Sequence, residues 1–323
     1  MTFSAQIAPT PPFAFDLILR YLRSSPSSIL ERVDHASYRR VVVVRERPVL
    51  LSVTSVGTTE APRLRVDVEG EGVTAAEGGA AVALVRRLFD LETDPGPFYE
   101  VAAGDPVFAA LVAQCRGFRP VLIPDPFEAL VWAIIGQQIN ITFAAKLKRV
   151  LVETFGATLD FQGQRFALFP GPERLAAADP THLAALQFSR QKIAYLQGLA
   201  RAVLDGDLDF DRIALLPSDA ALAQLQRLKG IGRWTAEYLL LRGFGHPDHI
   251  PAADGGLRRI IGRWYGLERL ATEAEVRALA ERWAGWRGYA ALHWWFALQQ
   301  QMAPPPAGAA PAPGRMVPQE DRA

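Results

Sequence analysis

Residues 228–236, Leu-Lys-Gly-Ile-Gly-Arg-Trp-Thr-Ala, set two glycines around an aliphatic residue at the start of a helical pattern running from Arg233 to Arg242. Glycine permits a tight turn, and the helix that follows leaves its first N–H groups and positive dipole end facing outward, an arrangement suited to an anion. On the upstream side, Ser218 to Leu228 also has helical spacing, and Thr235-Ala236 are small enough for the two helices to cross closely. On the downstream side, Pro251-Ala-Ala-Asp254-Gly-Gly-Leu-Arg258 puts a lone carboxylate at the start of another helix. Taken singly, Gly-Ile-Gly also reads as a helix C-cap followed by a turn, and Asp254 as an N-cap. Together they suggest a phosphate clamp beside an acid.

The chain has 323 residues, half of them apolar, enough for two or three domains with substantial cores. Its one cysteine, Cys115, reads as a small buried hydrophobe; a single thiol excludes an internal disulfide, a thiolate zinc cluster and an iron–sulfur centre. No apolar run is long enough to cross a bilayer, Ala129 to Ile135 being too short, and the N-terminus lacks a signal-peptide pattern. A cytoplasmic location without a membrane partner is expected. The net charge of +1 gives no general attraction to nucleic acid, so DNA binding would depend on a local basic face. Lys146, Lys148, Arg149, Arg258 and Arg259 are candidates for it, and read equally well as solvated helix faces.

The periodicity divides the chain. Residues 1–10 read as a leader. Phe15 to Arg23 has helical spacing; Arg39 to Arg45 and Val49 to Val56 are rich in β-branched residues; and Leu64, Val66 and Val68 alternate with charged residues. Ala75 to Leu91 returns to helical spacing. Residues 11–120 therefore read as an α+β domain: an antiparallel sheet with one wet face and helices on the other. Residues 121–302 read as mainly helical, in one or two subdomains. Asp125-Pro-Phe-Glu128 is a helix start signal, Gly136 an interruption, Asn140 to Phe155 and Ser189 to Leu204 helices, and Thr272-Glu-Ala-Glu275 a capping box. The Ala/Pro/Gly-rich tail, 303–323, is expected to be disordered.

With these motifs in order, the chain resembles the helix–hairpin–helix DNA glycosylases, most closely the bacterial 3-methyladenine DNA glycosylase II branch. The resemblance extends from about Pro11 to Gln301. It rests on Leu88-Phe-Asp-Leu91, Ala133-Ile-Ile-Gly-Gln-Gln138, Ala144-Ala-Lys-Leu147, Arg174-Leu-Ala-Ala-Ala-Asp-Pro180, Gly230-Ile-Gly-Arg-Trp-Thr-Ala236, Pro251-Ala-Ala-Asp254 and Trp286-Arg-Gly-Tyr-Ala-Ala-Leu-His293. It implies hydrolysis of the bond between a damaged base and deoxyribose in duplex DNA, with Asp254 as the essential carboxylate. One acid suffices for a purine alkylated at N3 or N7, because the leaving base is already cationic; ordinary glycosides need a second to protonate the leaving oxygen.

The resemblance further implies a base pocket of Tyr21, Trp234, Tyr238, Trp295 and Phe296, whose aromatic rings would stack on an electron-poor base. Trp295 and Phe296 are neighbours and cannot both face one pocket; Trp295 is preferred. It places Gln137, Gln138, Lys229, Gly230, Ile231, Gly232, Arg233 and Thr235 at DNA. Lyase-type relatives carry a Schiff-base lysine where this chain has Trp234, so the implied enzyme is monofunctional and leaves an abasic site. No cofactor is required for the chemistry. A structural monovalent cation on the carbonyls of Gln226, Leu228 and Ile231 is a family feature, and the protein is expected to act as a monomer. Three positions depart from the family: Gln138 stands where an aliphatic wedge fills the gap left by the flipped base, Lys229 where proline is frequent, and Gly255 where the best-known member has an aromatic. His293 reads as a packed, hydrogen-bonded residue. Two other readings stay open: a glycosylase for another lesion, such as uracil or a deaminated purine, and a non-catalytic DNA-binding module in which Asp254 is dispensable.

Overall fold

The computed structural model describes residues 2–25 and 29–304. Five strands, β1 (Thr2–Ile7), β2 (Glu31–Val33), β3 (Ser37–Val44), β4 (Arg47–Ser55) and β5 (Leu64–Glu69), form an antiparallel sheet in the order β1-β5-β4-β3-β2. The alternation read from the sequence sets its faces. Tyr38, Val42, Val44, Val49, Leu51, Val53, Leu64, Val66 and Val68 are all buried in the main core, against the helices Phe15–Arg23 and Ala75–Leu88.

Two expectations change here. The stretch read as a leader contains β1, an edge strand paired with β5 from Thr2 opposite Glu69 to Ile7 opposite Leu64. Its Phe3 ring packs on Gly78, where a Cβ would lie 2.3 Å from the ring. The outer sheet face is also not simply wet. A hairpin of β6 (Ala157–Phe161) and β7 (Gln164–Leu168) sets Phe166 against Val41 and Leu50, and the Arg32 guanidinium lies 4.1 Å from the centre of that ring. Its strands are only five residues long and turn at Gln162-Gly163, both with positive φ, so their periodic signal is short.

The rest of the chain is helical, as the motifs indicate. Asp125 caps the helix Pro126–Gly136 by accepting from the Phe127 N–H at 2.8 Å, and every residue from Phe127 to Ile135 is buried, so this helix runs through the centre of the protein. Helices Ile141–Phe155, Arg190–Leu204, Ser218–Leu225, Arg233–Leu239, Gly255–Trp264, Glu273–Ala280 and Arg287–Gln299 surround it. The Thr272/Glu275 capping box is formed. Helix Ser218–Leu225 ends three residues before Leu228, leaving a longer hairpin loop than the spacing suggests. Helix Arg233–Leu239 widens into a π-helical turn over Leu240–Phe244.

Lys148 is not on a solvated face. It is buried, 3.0 Å from Glu128, which also binds buried Arg40 of β3 and thus ties the sheet to the central helix. Cys115 and His293 are both buried, as read. The tail expected to be disordered lies, from residue 305, outside the described residues.

Candidate active site

The hairpin closes through the Ile231 N–H, which donates to the Leu228 carbonyl at 3.1 Å while the Ile231 side chain is buried beneath it. Its two glycines serve different ends. Gly230 has φ +91°, and a Cβ there would fall 2.5 Å from the Tyr195 ring, so both conformation and packing require glycine. Gly232 is the N-cap of helix Arg233–Leu239 with an ordinary φ of −81°, and a Cβ there would meet nothing within 4 Å. Its missing side chain leaves the helix N-terminus open to approach. Ala236 is the first residue of this helix to bond back, to the Gly232 carbonyl at 3.0 Å, so the N–H groups before it precede the helical ladder.

Around this turn, Lys229, Gly232 and Arg233 are exposed. Arg233 donates to Glu237, 2.9 Å away; Glu237 is buried and also bound by Arg277. Thr235 is 2% exposed, its hydroxyl accepting from the Gln137 amide at 3.0 Å, and the same amide donates to the Gly230 carbonyl at 2.9 Å. The Gln137 amide nitrogen and the buried Thr235 hydroxyl thus brace the hairpin from inside the protein. Gln138 is exposed, with φ +57°. Among the other cations, Arg258 donates to the Ala271 carbonyl at 2.6 Å, and Lys146, Arg149 and Arg259 remain exposed.

Asp254 caps helix Gly255–Trp264. Its Oδ1 accepts from the Leu257 N–H at 2.8 Å and from the Trp295 indole Nε1–H at 3.1 Å. Its Oδ2 accepts no hydrogen bond among the described residues, and the carboxylate is half-buried. The aromatic rings adjoin one another: Trp234 lies 5.7 Å from Tyr238, and Tyr238 5.9 Å from Trp295. Burial pushes the Tyr238 phenol up to about 12, so it stays neutral beside the acid. The indole Nε1 of Trp234 is buried and has no hydrogen-bond partner among the described residues.

The structure does not bring all five expected pocket residues together. Phe296 is fully buried on the other side of its helix, 4.7 Å from Phe118, because consecutive helical residues point about 100° apart. Tyr21 is buried beside that pair, 5.6 Å from Phe118 and stacked 6.5 Å from Phe296, and its hydroxyl accepts from Arg242 at 2.8 Å. Arg242 escaped the sequence reading, although Trp234, Tyr238 and Arg242 recur every four residues. Its Nε is buried and meets no acceptor among the described residues.

With this geometry, the chain matches the family model of the HhH-GPD superfamily base excision DNA repair proteins over residues 131–285 and that of the AlkA N-terminal domain over residues 5–124. It is 34% identical to an Escherichia coli protein named DNA-3-methyladenine glycosylase 2, over 88% of this chain and 94% of that one. It is 31% identical to a Bacillus subtilis DNA-3-methyladenine glycosylase, over 90% and 96% of the two chains. The chain belongs to the HhH-GPD superfamily of base excision DNA repair proteins. The fold agrees: a solved 3-methyladenine DNA glycosylase from Archaeoglobus fulgidus superposes with a TM-score of 0.80, covering 93% of this chain and 99% of that one, at 24% identity.

As in a member of this superfamily, the matched helical segment holds the hairpin, Gln138 and Asp254, while Trp295, which fixes the Asp254 oxygen, lies beyond residue 285. Tyr21 comes from the segment that matches the N-terminal domain, and that match includes half of β1. DNA is the partner of the superfamily. Among the described residues no helix is long and apolar enough to cross a membrane.

Proposed function

We propose that this protein is a monofunctional DNA glycosylase that extrudes alkylated purines, 3-methyladenine and related bases, from duplex DNA and hydrolyses the N-glycosidic bond, leaving an abasic site. The observation that carries this reading is the asymmetry of Asp254: one oxygen is fixed by two N–H donors and the other is open, beside the row Trp234, Tyr238 and Trp295.

Each part has a physical task. The exposed hairpin turn and the helix N-terminus behind it would receive a backbone phosphate, binding DNA without reading its sequence. The aromatic rings would stack on the extruded base, with a preference for a cationic one. An N3- or N7-alkylated purine already carries positive charge and leaves without a protonating acid. The remaining work is to stabilise the oxocarbenium-like sugar and to orient water, and the free Asp254 oxygen suits both. Trp234 has no amine, so no Schiff base forms at its position. The chemistry needs no cofactor. At the hairpin, the carbonyls of Gln226 and Ile231 accept no hydrogen bond among the described residues, and that of Leu228 receives only the Ile231 N–H, which fits a monovalent cation held by these three oxygens. Such an ion would add positive charge near the phosphate.

The test is Asp254→Asn. The amide oxygen keeps the contacts with Leu257 and Trp295 while the charge is lost, so release of 3-methyladenine should fall by about 10²-fold or more with affinity for abasic DNA retained. Base release by the variant at the parental rate would point instead to a DNA-binding module. Parental protein that released uracil or hypoxanthine but not 3-methyladenine would move the assignment to another lesion. Borohydride added during turnover should trap no protein–DNA adduct.

A further inference from the structure

The central helix Pro126–Gly136 ends at a turn whose exposed residue, Gln138, has the left-handed backbone that favours glycine or asparagine. A helix end leaves its last carbonyls short of N–H partners; the Ile134 carbonyl receives the Gln137 N–H at 3.3 Å. Here these carbonyls are gathered by a side chain from another element. The ammonium of Lys192, in the first turn of helix Arg190–Leu204, lies 3.0 Å from the Ile134 carbonyl, 2.6 Å from that of Ile135 and 2.8 Å from that of Gln137. An ammonium has three protons, and all three are used. A positive charge at this end also complements the helix dipole.

The same turn is held from its other side, where the Gln137 amide is bonded to Gly230 and Thr235 of the hairpin. Between these two clamps the backbone at 137–138 has little freedom. The Gln138 side chain is exposed and makes no hydrogen bond among the described residues. One side chain is thus left projecting from a rigid platform, on the turn to which the DNA-contacting hairpin is tied.

We propose that Lys192 is a positioning residue for base extrusion: by collecting the three carbonyls it holds Gln138 in its left-handed conformation, aimed at the gap that a flipped nucleotide leaves in the duplex. This rests on the glycosylase reading above. Lys192 itself touches neither base nor sugar. An arginine could not replace it, since a planar fork cannot converge on three oxygens arranged around a helix end.

A double-mutant cycle tests the assignment, using Gln138→Ala, Lys192→Met, the double variant and Lys192→Arg in the full chain. Dissociation constants are measured by fluorescence anisotropy on a duplex with a tetrahydrofuran abasic analogue and on the same duplex undamaged, with thermal melts of each variant. Gln138→Ala and Lys192→Met should each weaken abasic-duplex binding about tenfold, the double variant should lose no more than either single one, and undamaged-duplex binding should stay within about twofold. Lys192→Arg should resemble Lys192→Met. A general loss of packing would weaken both duplexes alike, which would overturn the proposal. So would losses that multiply in the double variant, or parental binding by Lys192→Met. If Lys192→Met does not fold, the cycle is run with Lys192→Gln, under the same criteria. Release of 3-methyladenine by the parental protein is measured in parallel. Its absence would defeat the glycosylase reading, whereas multiplying losses with release intact would defeat only the role of Lys192.

Discussion

Glu128 and Asp254 both stand at the beginning of a helix, yet the seam around the first and the cleft around the second treat a carboxylate in opposite ways. Glu128 is 1% exposed with both oxygens occupied, one by Lys148 and the other by Arg40, which also holds Glu31 at 2.6 Å. Burial alone would raise its pKa, but the two cations outweigh burial and hold it below the usual carboxylate range. Asp254 is half-buried, meets no cation among the described residues and has one free oxygen. A charge whose bonding capacity is filled on every side is committed to the fold. A charge held firmly by one oxygen is oriented and still able to act on something outside the protein.

The contrast predicts opposite phenotypes. Glu128→Gln should produce the largest change in stability: it leaves Arg40 and Lys148 buried with no carboxylate between them, a loss of about 3–5 kcal/mol in chemical denaturation, while the folded fraction retains its base-release rate. A variant as stable as the parent would mean that the seam does not depend on this charge. Asp254→Asn should show the reverse, with activity down about 10²-fold, roughly 2.7 kcal/mol of barrier, and a melting temperature close to the parental one. If it melted as early as Glu128→Gln, Asp254 would belong with the structural charges and the comparison would collapse.

Trp295→Phe sharpens the cleft side. It keeps an aromatic ring beside Tyr238 but removes the Nε1–H that binds the Asp254 oxygen, leaving the Leu257 N–H as the one remaining hold on that carboxylate. A carboxylate freed to rotate should cost about tenfold in base release, with less effect on abasic-DNA affinity. Equal losses in both would assign Trp295 to base binding alone and leave the orientation of Asp254 to its N-cap bond.

What could be read from the sequence divides along the same physical line. Local signals carried the fold: the alternation of Leu64, Val66 and Val68, the Asp125-Pro126 start and the Thr272/Glu275 box all act over a few residues. The hairpin and Asp254 were legible for the same reason, since turn and cap chemistry is local. Strand β1 was missed because six residues of alternation at a chain end look like a leader until β5 pairs with them. The partners that distinguish the two carboxylates lie far away in the chain. Arg40 is 88 residues from Glu128, and Trp295 is 41 from Asp254. No window of sequence shows that Lys148 points inward or that Lys192 reaches a helix end 55 residues earlier.

The smallest expected effect concerns a buried group that is neutral from the start. His293 is 1% exposed among Phe98, Phe108 and Phe118, and its Nδ1 contacts the Tyr289 carbonyl at 2.8 Å, which makes Nδ1 the protonated nitrogen of a neutral ring. Burial, with a contribution from the nearby Arg119 charge, pushes its pKa down to about 3, against an ordinary value near 6.5. The folded state therefore disfavours the proton that the unfolded chain accepts. The stability this provides is complete above pH 6.5 and declines as the pH falls from there toward 3. Between pH 7.5 and 6.0 the parent should lose about 0.8 kcal/mol that His293→Phe, with no titrating ring, does not lose. Taking the difference between the two proteins removes the titrations they share. Parallel stability profiles for parent and variant over this interval would show that the His293 ring takes up its proton inside the fold, and that a charge among these aromatic rings is tolerated without a carboxylate to meet it.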